Sequence, residues 1–383
     1  MKVLALPRLP LRLFSAAEKV QQLFAKAGVR IGGRRPWDIQ VSNEKFFDRA
    51  LAEGNLGLGE SYVDGWWECE RLDELFHRLL RAKIEEEILP WPFILDVVKS
   101  RVLNWQSRSR SSSNARRHYD IGEDVYAKML DRRRVYSCGY WKGAANLDQA
   151  QVAKLELSCR KLDLKPGMRL LDIGCGWGSL AQYAAEKHRV EVVGITVSKN
   201  QFHYAKRHVA AKRVEIRLQD YRDLPPEKFD RIVSIGMFEH VGYKNYSRFM
   251  TVAADRLRDD GLFLLHTIGG NRSTTRIDPW VQRYVFPNAM LPSIAQIGAA
   301  AEGRFIMEDW HNFGPDYDRT LMAWWENFEN GWSELSGRYS KRFHRMWKYY
   351  LLTCAAAFRA RELQVWQILL SKGVAKAPAR RIG

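Results

Sequence analysis

Two groups of residues in this 383-residue chain have types and spacings suited to chemistry. The first is Leu170-Leu171-Asp172-Ile173-Gly174-Cys175-Gly176-Trp177-Gly178, an apolar run ending in Asp-x-Gly-x-Gly-x-Gly. Such a run reads as a strand that turns tightly into a helix. Glycines admit positive φ and let the backbone approach a ligand closely, and the amides of a helix start can meet a carboxylate or a phosphate. The second group is Glu239, in Gly236-Met237-Phe238-Glu239-His240, and His266, in Leu265-His266-Thr267-Ile268-Gly269-Gly270. A carboxylate and an imidazole brought to one sheet edge can hold an anion or relay a proton. Taken singly, Glu239 also reads as an acid at a helix start and His266 as a hydrogen-bonded strand-end histidine.

The glycine spacing decides between cofactors. A dinucleotide site needs Gly-x-Gly-x-x-Gly and an acid about 20 residues on, at the end of the second strand. Here the second strand ends Gly194-Ile195-Thr196-Val197-Ser198 without an acid, and the acid, Asp172, precedes the glycines. The motif resembles the first motif of class I S-adenosylmethionine (SAM) methyltransferases, which implies SAM rather than NAD. The cofactor candidates are Asp172, Gly174, Cys175, Gly176 and Gly178, then Thr196, Ser198 and Gln201, then Asp220 and Tyr221, which end the third strand where an adenine would lie. Alone, Thr196 and Ser198 read as a helix N-cap. Upstream, Val135-Tyr136-Ser137-Cys138-Gly139-Tyr140-Trp141 is a run able to close over the cofactor, with Tyr136 and Ser137 as contacts, or to be a packed aromatic loop. The Asp309–Tyr317 stretch is similarly aromatic, and aromatic faces suit a sulfonium.

These residues require an α/β frame. Candidate strands are Arg169–Ile173, Val190–Thr196, Val214–Gln219, Arg231–Ile235, Leu262–Thr267, Phe305–Trp310 and Val365–Leu370. Helical patterns at Gly178–Glu186, Lys199–Ala210 and Tyr246–Leu257 separate the earlier ones. Strands alternating with helices predict a seven-stranded, mostly parallel, Rossmann-like sheet, with the ligand crevice where strand order reverses. Residues 1–100, with helical patterns at Ala16–Ala27 and Leu72–Ile88, read as a small, mostly helical domain. A basic Ser/Arg linker over 101–117 leads to a catalytic domain over 118–383.

A formal charge of +17 favours an anionic partner, either nucleic acid or an acidic membrane surface. The five cysteines form no CxxC pair or Cys/His cluster, so no metal site is expected and a reduced, cytosolic protein is. The N-terminus lacks the apolar core of a signal peptide, and no apolar run is long enough to span a bilayer, so membrane contact is expected to be peripheral. From Gly331 onward only Glu334 and Glu362 are acidic, against a basic excess in which Arg338, Arg342 and Arg345 are expected on one helical face. No RNA-binding module is recognisable, so nucleic acid is not expected as a partner.

The whole sequence resembles the bacterial cyclopropane-fatty-acyl-phospholipid synthases, and its second part resembles the mycolic acid cyclopropane synthases. The motifs that carry this are Arg117-His118-Tyr119-Asp120, Tyr136-Ser137-Cys138, the Asp172–Gly178 loop, Gly236–His240 and Phe358-Arg359-Ala360-Arg361. The resemblance implies attack of a cis double bond of a phospholipid acyl group on the SAM methyl group, loss of a proton from that carbon, and ring closure. It implies a bound bicarbonate as proton acceptor, held by Glu239, His266 and Tyr317 and by backbone groups of Cys138 and Ile268. Cys354 matches a position marked as active-site in the family, but its apolar helical setting supports only a lining role. The resemblance further implies a homodimer, docked peripherally on the inner face of the cytoplasmic membrane through the small domain. The alternatives are a SAM-dependent C-methylation of lipid acyl groups that closes no ring, an RNA methylation or nucleic-acid binding, and a non-catalytic membrane scaffold, which the intact glycine loop argues against.

Overall fold

The computed structural model describes residues 15–84, 122–373 and 382. The protein divides into two compact units, Met1–Pro90 and Trp91–Gly383. The 101–117 linker, the Arg117–Asp120 motif and the basic residues Lys376, Arg380 and Arg381 lie outside the described residues.

In the first unit, helices Ala16–Lys26, Lys45–Glu53, Asn55–Val63 and Leu72–Arg81 accompany a short antiparallel pair, β1 (Gln40–Val41) and β2 (Trp67–Glu68). The first helix begins at Ser15 because Ser15 and Glu18 cap each other's amides, at 3.2 and 2.8 Å. Its Val20 and Phe24, four residues apart, form one buried stripe. Trp67 packs against Tyr62 and Phe46, with ring centroids 5.0 and 6.1 Å apart. The pattern read as a helix to Ile88 ends at Arg81, where the backbone turns through Lys83 at φ 53°. Residues 85–88 lie outside the described residues.

The second unit is built on a seven-stranded sheet ordered β5-β4-β3-β6-β7-β9-β8. The strands are β3 (Arg169–Ile173), β4 (Glu191–Thr196), β5 (Val214–Leu218), β6 (Phe229–Ile235), β7 (Leu257–Gly270), β8 (Ile306–Asn312) and β9 (Leu363–Ser371). From β5 through β7 neighbours run parallel, and β9 runs antiparallel to both β7 and β8. The expected mostly parallel, doubly wound sheet is therefore what forms. The central strands hold near-continuous apolar runs because helices cover both faces, and Leu170, Leu171, Ile232 and Phe263 are fully buried.

Strand order reverses between β3 and β6, which pair directly through Leu170–Arg231 to Asp172–Val233. The crevice for a ligand opens at the C-terminal ends of these two strands. β7 is longer than the Leu262–Thr267 expected, because Leu257 already pairs with Phe229 across a register shift. β5 stops at Leu218, leaving Gln219 and Asp220 in the following turn. One expectation fails: Arg338 does not share a helical face with Arg342 and Arg345. Ser340 caps the helix Lys341–Arg359 by accepting from the Phe343 amide, so the helix starts three residues after Arg338. Arg338 instead sits in the preceding turn and pairs with Asp124 at 2.8 Å. Among the described residues no helix is long and apolar enough to cross a membrane.

Candidate active site

The glycine loop leaves β3 with Gly174, Gly176 and Gly178 at φ 85°, 56° and 85°. A Cβ on Gly174 would stand 2.8 Å from the Met237 side chain, so loop and β6 turn meet only without one. Gly178 has a different duty. A Cβ there would lie 2.6 Å from Val209 Cγ2, and Gly178 starts the helix Ser179–His188 without lining the cavity.

A cavity opens beside this loop. Its walls include Tyr136 and Ser137, Asp172 with Gly174, Cys175 and Gly176, Thr196 with Ser198 and Gln201, and Asp220 with Tyr221. All the sequence-selected cofactor residues except Gly178 therefore share one hollow. The Thr196–Gln201 group is also a cap: Thr196 Oγ1 bonds the Gln201 side chain at 3.0 Å, and Ser198 Oγ accepts from the Gln201 amide at 3.4 Å. Asp220 is held by Arg222, whose Nε and backbone N–H donate to it at 2.8 and 3.0 Å.

The residues around the cavity suit SAM. The glycines bring bare backbone to its wall, and Asp172 is buried with Oδ2 unpartnered among the described residues. Burial pushes its carboxyl up to about 7, with the Lys154 charge opposing. Sequence reading missed Lys154. It is 1% exposed on the helix Leu147–Lys161, lines the cavity, and donates to Ser137 Oγ at 2.9 Å. One turn earlier, Gln151 Nε2 holds the Ser137 carbonyl at 2.8 Å.

At the ends of β6 and β7 the second group assembles. Glu239 lies in a 3-10 turn, Phe238–His240, with Oε1 accepting the Ile268 amide at 2.7 Å. The Ile268 amide therefore positions the carboxylate instead of standing open to an anion. Glu239 Oε2 has no partner among the described residues, and Thr267 Oγ1 nearby donates to the Ile268 carbonyl at 3.0 Å. Burial pushes the Glu239 carboxyl up to about 7, opposed by the N–H groups of Ile268 and Glu239 and by the Thr267 hydroxyl close to it. His266, on adjacent β7, is 2% exposed and burial keeps it neutral. Gln367, directly across on β9, places its amide nitrogen 3.4 Å from His266 Nδ1. This contact is a hydrogen bond in the tautomer that carries the ring proton on Nε2. His240, also on the cavity wall, has its imidazole lowered to about 4 by burial.

Cys138 and Tyr317 meet through an intermediary that sequence reading missed. Thr320 Oγ1 accepts the Gly139 amide at 3.1 Å and Trp141 Nε1 at 2.9 Å, and donates to the Asp316 carbonyl at 2.8 Å. This ties the Cys138 loop to the helix Pro315–Asn330, on which Tyr317 lies. The Cys138 thiol is fully buried, bonds the Gly139 carbonyl at 3.2 Å, and is held well above the usual thiol range by burial. Tyr317 packs on Phe358 and Trp324 at 4.6 and 5.8 Å, and Trp324 packs on Tyr136 at 5.1 Å. Tyr136 closes the aromatic wall by bonding Tyr350 through their hydroxyls at 2.8 Å. Cys354 lies one turn beyond Tyr350, and burial and then Asp278 push its thiol up to about 12, where it is no nucleophile.

In sequence and fold the chain resembles known proteins. The mycolic acid cyclopropane synthetase family matches residues 106–368. The cyclopropane-fatty-acyl-phospholipid synthase of Escherichia coli (strain K12) is 53% identical over 355 residues, 92% of each protein. A cyclopropane synthase structure from Mycobacterium tuberculosis superposes with a TM-score of 0.64 at 33% identity, covering 68% of this protein and 98% of that one. A mycolic acid cyclopropane synthase complexed with SAH and CTAB gives 0.62 at 33% identity, covering 68% and 97%. Fold, site and these likenesses agree: the protein belongs to the cyclopropane synthase family of SAM-dependent methyltransferases.

Proposed function

We propose that this enzyme converts the cis double bond of unsaturated acyl groups in membrane phospholipids into a cyclopropane, taking the methylene carbon from SAM and using bicarbonate as proton acceptor. Bound SAM supplies a methyl carbon made electrophilic by its sulfonium. An alkene is a weak nucleophile, so the protein must contribute alignment and a dry pocket. Tyr136 lines the cavity and packs with Trp324, Tyr317 and Tyr350 behind it, an aromatic cluster that would exclude water and favour the positive charge that spreads onto the lipid.

The observation that carries the reading is Glu239, buried at the crevice with one oxygen fixed by Ile268 and the other unpartnered among the described residues. Glu239, His266 and Tyr317 would hold bicarbonate, its hydroxyl meeting the carboxylate without repulsion while the imidazole and the phenol would donate to its oxygens. Cys138 would contribute backbone only. Its buried thiol points to its own neighbour's carbonyl. Bicarbonate held there would supply the base for the proton lost from the former methyl carbon.

The substrate lies in a bilayer, so the enzyme works as a peripheral protein on anionic phospholipid at the inner face of the cytoplasmic membrane. Lys341, Arg342, Arg345 and Lys348, on the first turns of the Lys341–Arg359 helix, support this: each cation near an anionic surface adds about 1 kcal/mol. Binding to such vesicles is expected to weaken steeply with salt. The family resemblance also supports a homodimer, which sedimentation equilibrium measures.

The deciding experiment incubates purified protein with SAM and vesicles of cis-unsaturated phospholipid, then reads the product by proton NMR. Upfield ring-methylene signals are the expected result. A methyl-branched or methylene-branched product would replace the cyclopropane reading with a ring-free C-methylation. Unchanged lipid in the presence of carbonate would overturn both. Carbonate-depleted buffer is expected to slow turnover, and added bicarbonate to restore it.

A further inference from the structure

We infer that Lys154 is the specificity-determining residue for the amino-acid end of the cofactor, orienting the Ser137 hydroxyl toward the α-carboxylate. The inference rests on SAM as the occupant of the glycine-loop cavity.

A lysine that is 1% exposed is costly unless its charge is answered. The Lys154 ammonium donates to a neutral oxygen, Ser137 Oγ, at 2.9 Å. That bond uses a lone pair of the hydroxyl, so the Ser137 hydrogen must point away from the ammonium. Both side chains line the cavity, and Ser137 is fixed at its other end by Gln151 on the carbonyl. The hydroxyl is thereby set as a donor to whatever the cavity holds, backed by a positive charge.

Asp172 lines the same cavity with Oδ2 unpartnered, and it shares no hydrogen bond or ion pair with Lys154 among the described residues, although the Lys154 charge favours its ionised form. Asp131, the other nearby acid, spends its oxygens on the amides of Arg133 and Val135, at 3.0 and 2.8 Å. The cavity thus presents a buried ammonium and a buried carboxyl that make no direct hydrogen bond or ion pair with each other, although their charges act on one another. A ligand group that brings both signs answers them together. The α-amino acid end of SAM is such a group: its carboxylate is matched to Lys154 and Ser137, its ammonium to Asp172. A nucleoside lacking that end gains nothing from Lys154.

The test compares binding of S-adenosylhomocysteine with 5′-methylthioadenosine, which shares the adenosine and sulfur but lacks the amino acid, by titration calorimetry. Lys154→Met is expected to weaken S-adenosylhomocysteine about 10- to 100-fold and to leave methylthioadenosine within about 2-fold, since a charge-assisted contact is lost for one ligand only. Lys154→Arg should restore part of the loss. Equal weakening of both ligands, or none, would overturn the inference. If Lys154→Met does not fold, Ser137→Ala decides: selective loss of S-adenosylhomocysteine supports the inference, and an equal or absent loss rejects it. Failure of the wild-type protein to bind either ligand would reject SAM itself as the occupant.

Discussion

The Ile268 amide donates to Glu239 Oε1 at 2.7 Å, which fixes one carboxylate oxygen and leaves the other, Oε2, without a partner among the described residues. Replacing Glu239 by Gln keeps the shape but lets an N–H stand where an acceptor is needed. Turnover is expected to fall about 100-fold or more, the usual scale for a lost proton-transfer group, while S-adenosylhomocysteine binding stays within about 2-fold. Steady-state kinetics with calorimetry checks this, and undiminished turnover would remove Glu239 from the mechanism.

The same residue gives a pH signature in stability. Burial raises the Glu239 carboxyl from 4.5 to about 7. Between these values the folded protein keeps a proton that the unfolded protein has released. Its contribution to stability therefore declines as pH rises through that window and is constant above it. Glu239→Gln lacks this decline. The stability of Glu239→Gln relative to wild type, from urea unfolding of ligand-free protein, should increase by about 1–3 kcal/mol between pH 5 and pH 8. A pH-independent difference would mean the carboxyl titrates normally.

Two glycines of one loop should fail in different ways. Gly174→Ala sets a Cβ against Met237 on the cavity wall, and cofactor binding should drop about 10-fold or more. Gly178→Ala pushes on Val209 away from the cavity, so its main cost should be about 1–3 kcal/mol of stability. Thermal melting and binding measured on both variants separate the two; identical profiles would show that the loop acts as one unit.

Thr320→Val keeps volume but removes the acceptor shared by Gly139 and Trp141. Leaving two buried donors unmet costs about 1–3 kcal/mol each. The Cys138 loop should then slip relative to the Tyr317 helix, lowering kcat about 10-fold. Thr320→Ser, which keeps the hydroxyl, should recover most of the rate; no recovery would assign the loss to the missing methyl.

Cys354→Ala should retain turnover within about 3-fold, because a thiol held near 12 offers no thiolate at neutral pH. A loss of several orders of magnitude would instead make the sulfur part of the chemistry.

Much of this architecture was legible from the residue order. The β3 run and the glycines after it, and the arrival of Glu239 and His266 from neighbouring strands, follow from apolar runs and from the crossover rule. The supports were not. Lys154 looks like any solvated lysine on a helix, yet Lys154, Ser158 and Lys161 form one stripe turned inward, toward Ser137, Gln367 and His311. The readable signal was an inward stripe of polar residues on a helix whose apolar positions do not define one side. Thr320 and Gln367 gave no signal, because each acts on residues 101 to 209 positions away and only tertiary pairing reveals that. Arg338 was misplaced because helical spacing says nothing about where Ser340 begins the helix.

Among the described strands β9 comes last in sequence, yet it lies between β7 and β8. While a ribosome is still delivering residues 363–371, β7 is an open edge and β8 has no neighbour to pair with. His266 then lacks Gln367 beside it. The glycine loop, β4, β5 and β6 can pair well before that moment. The strands around the glycine loop therefore have their partners before β9 is made, and any truncation before Leu363 leaves β7 and β8 with open edges.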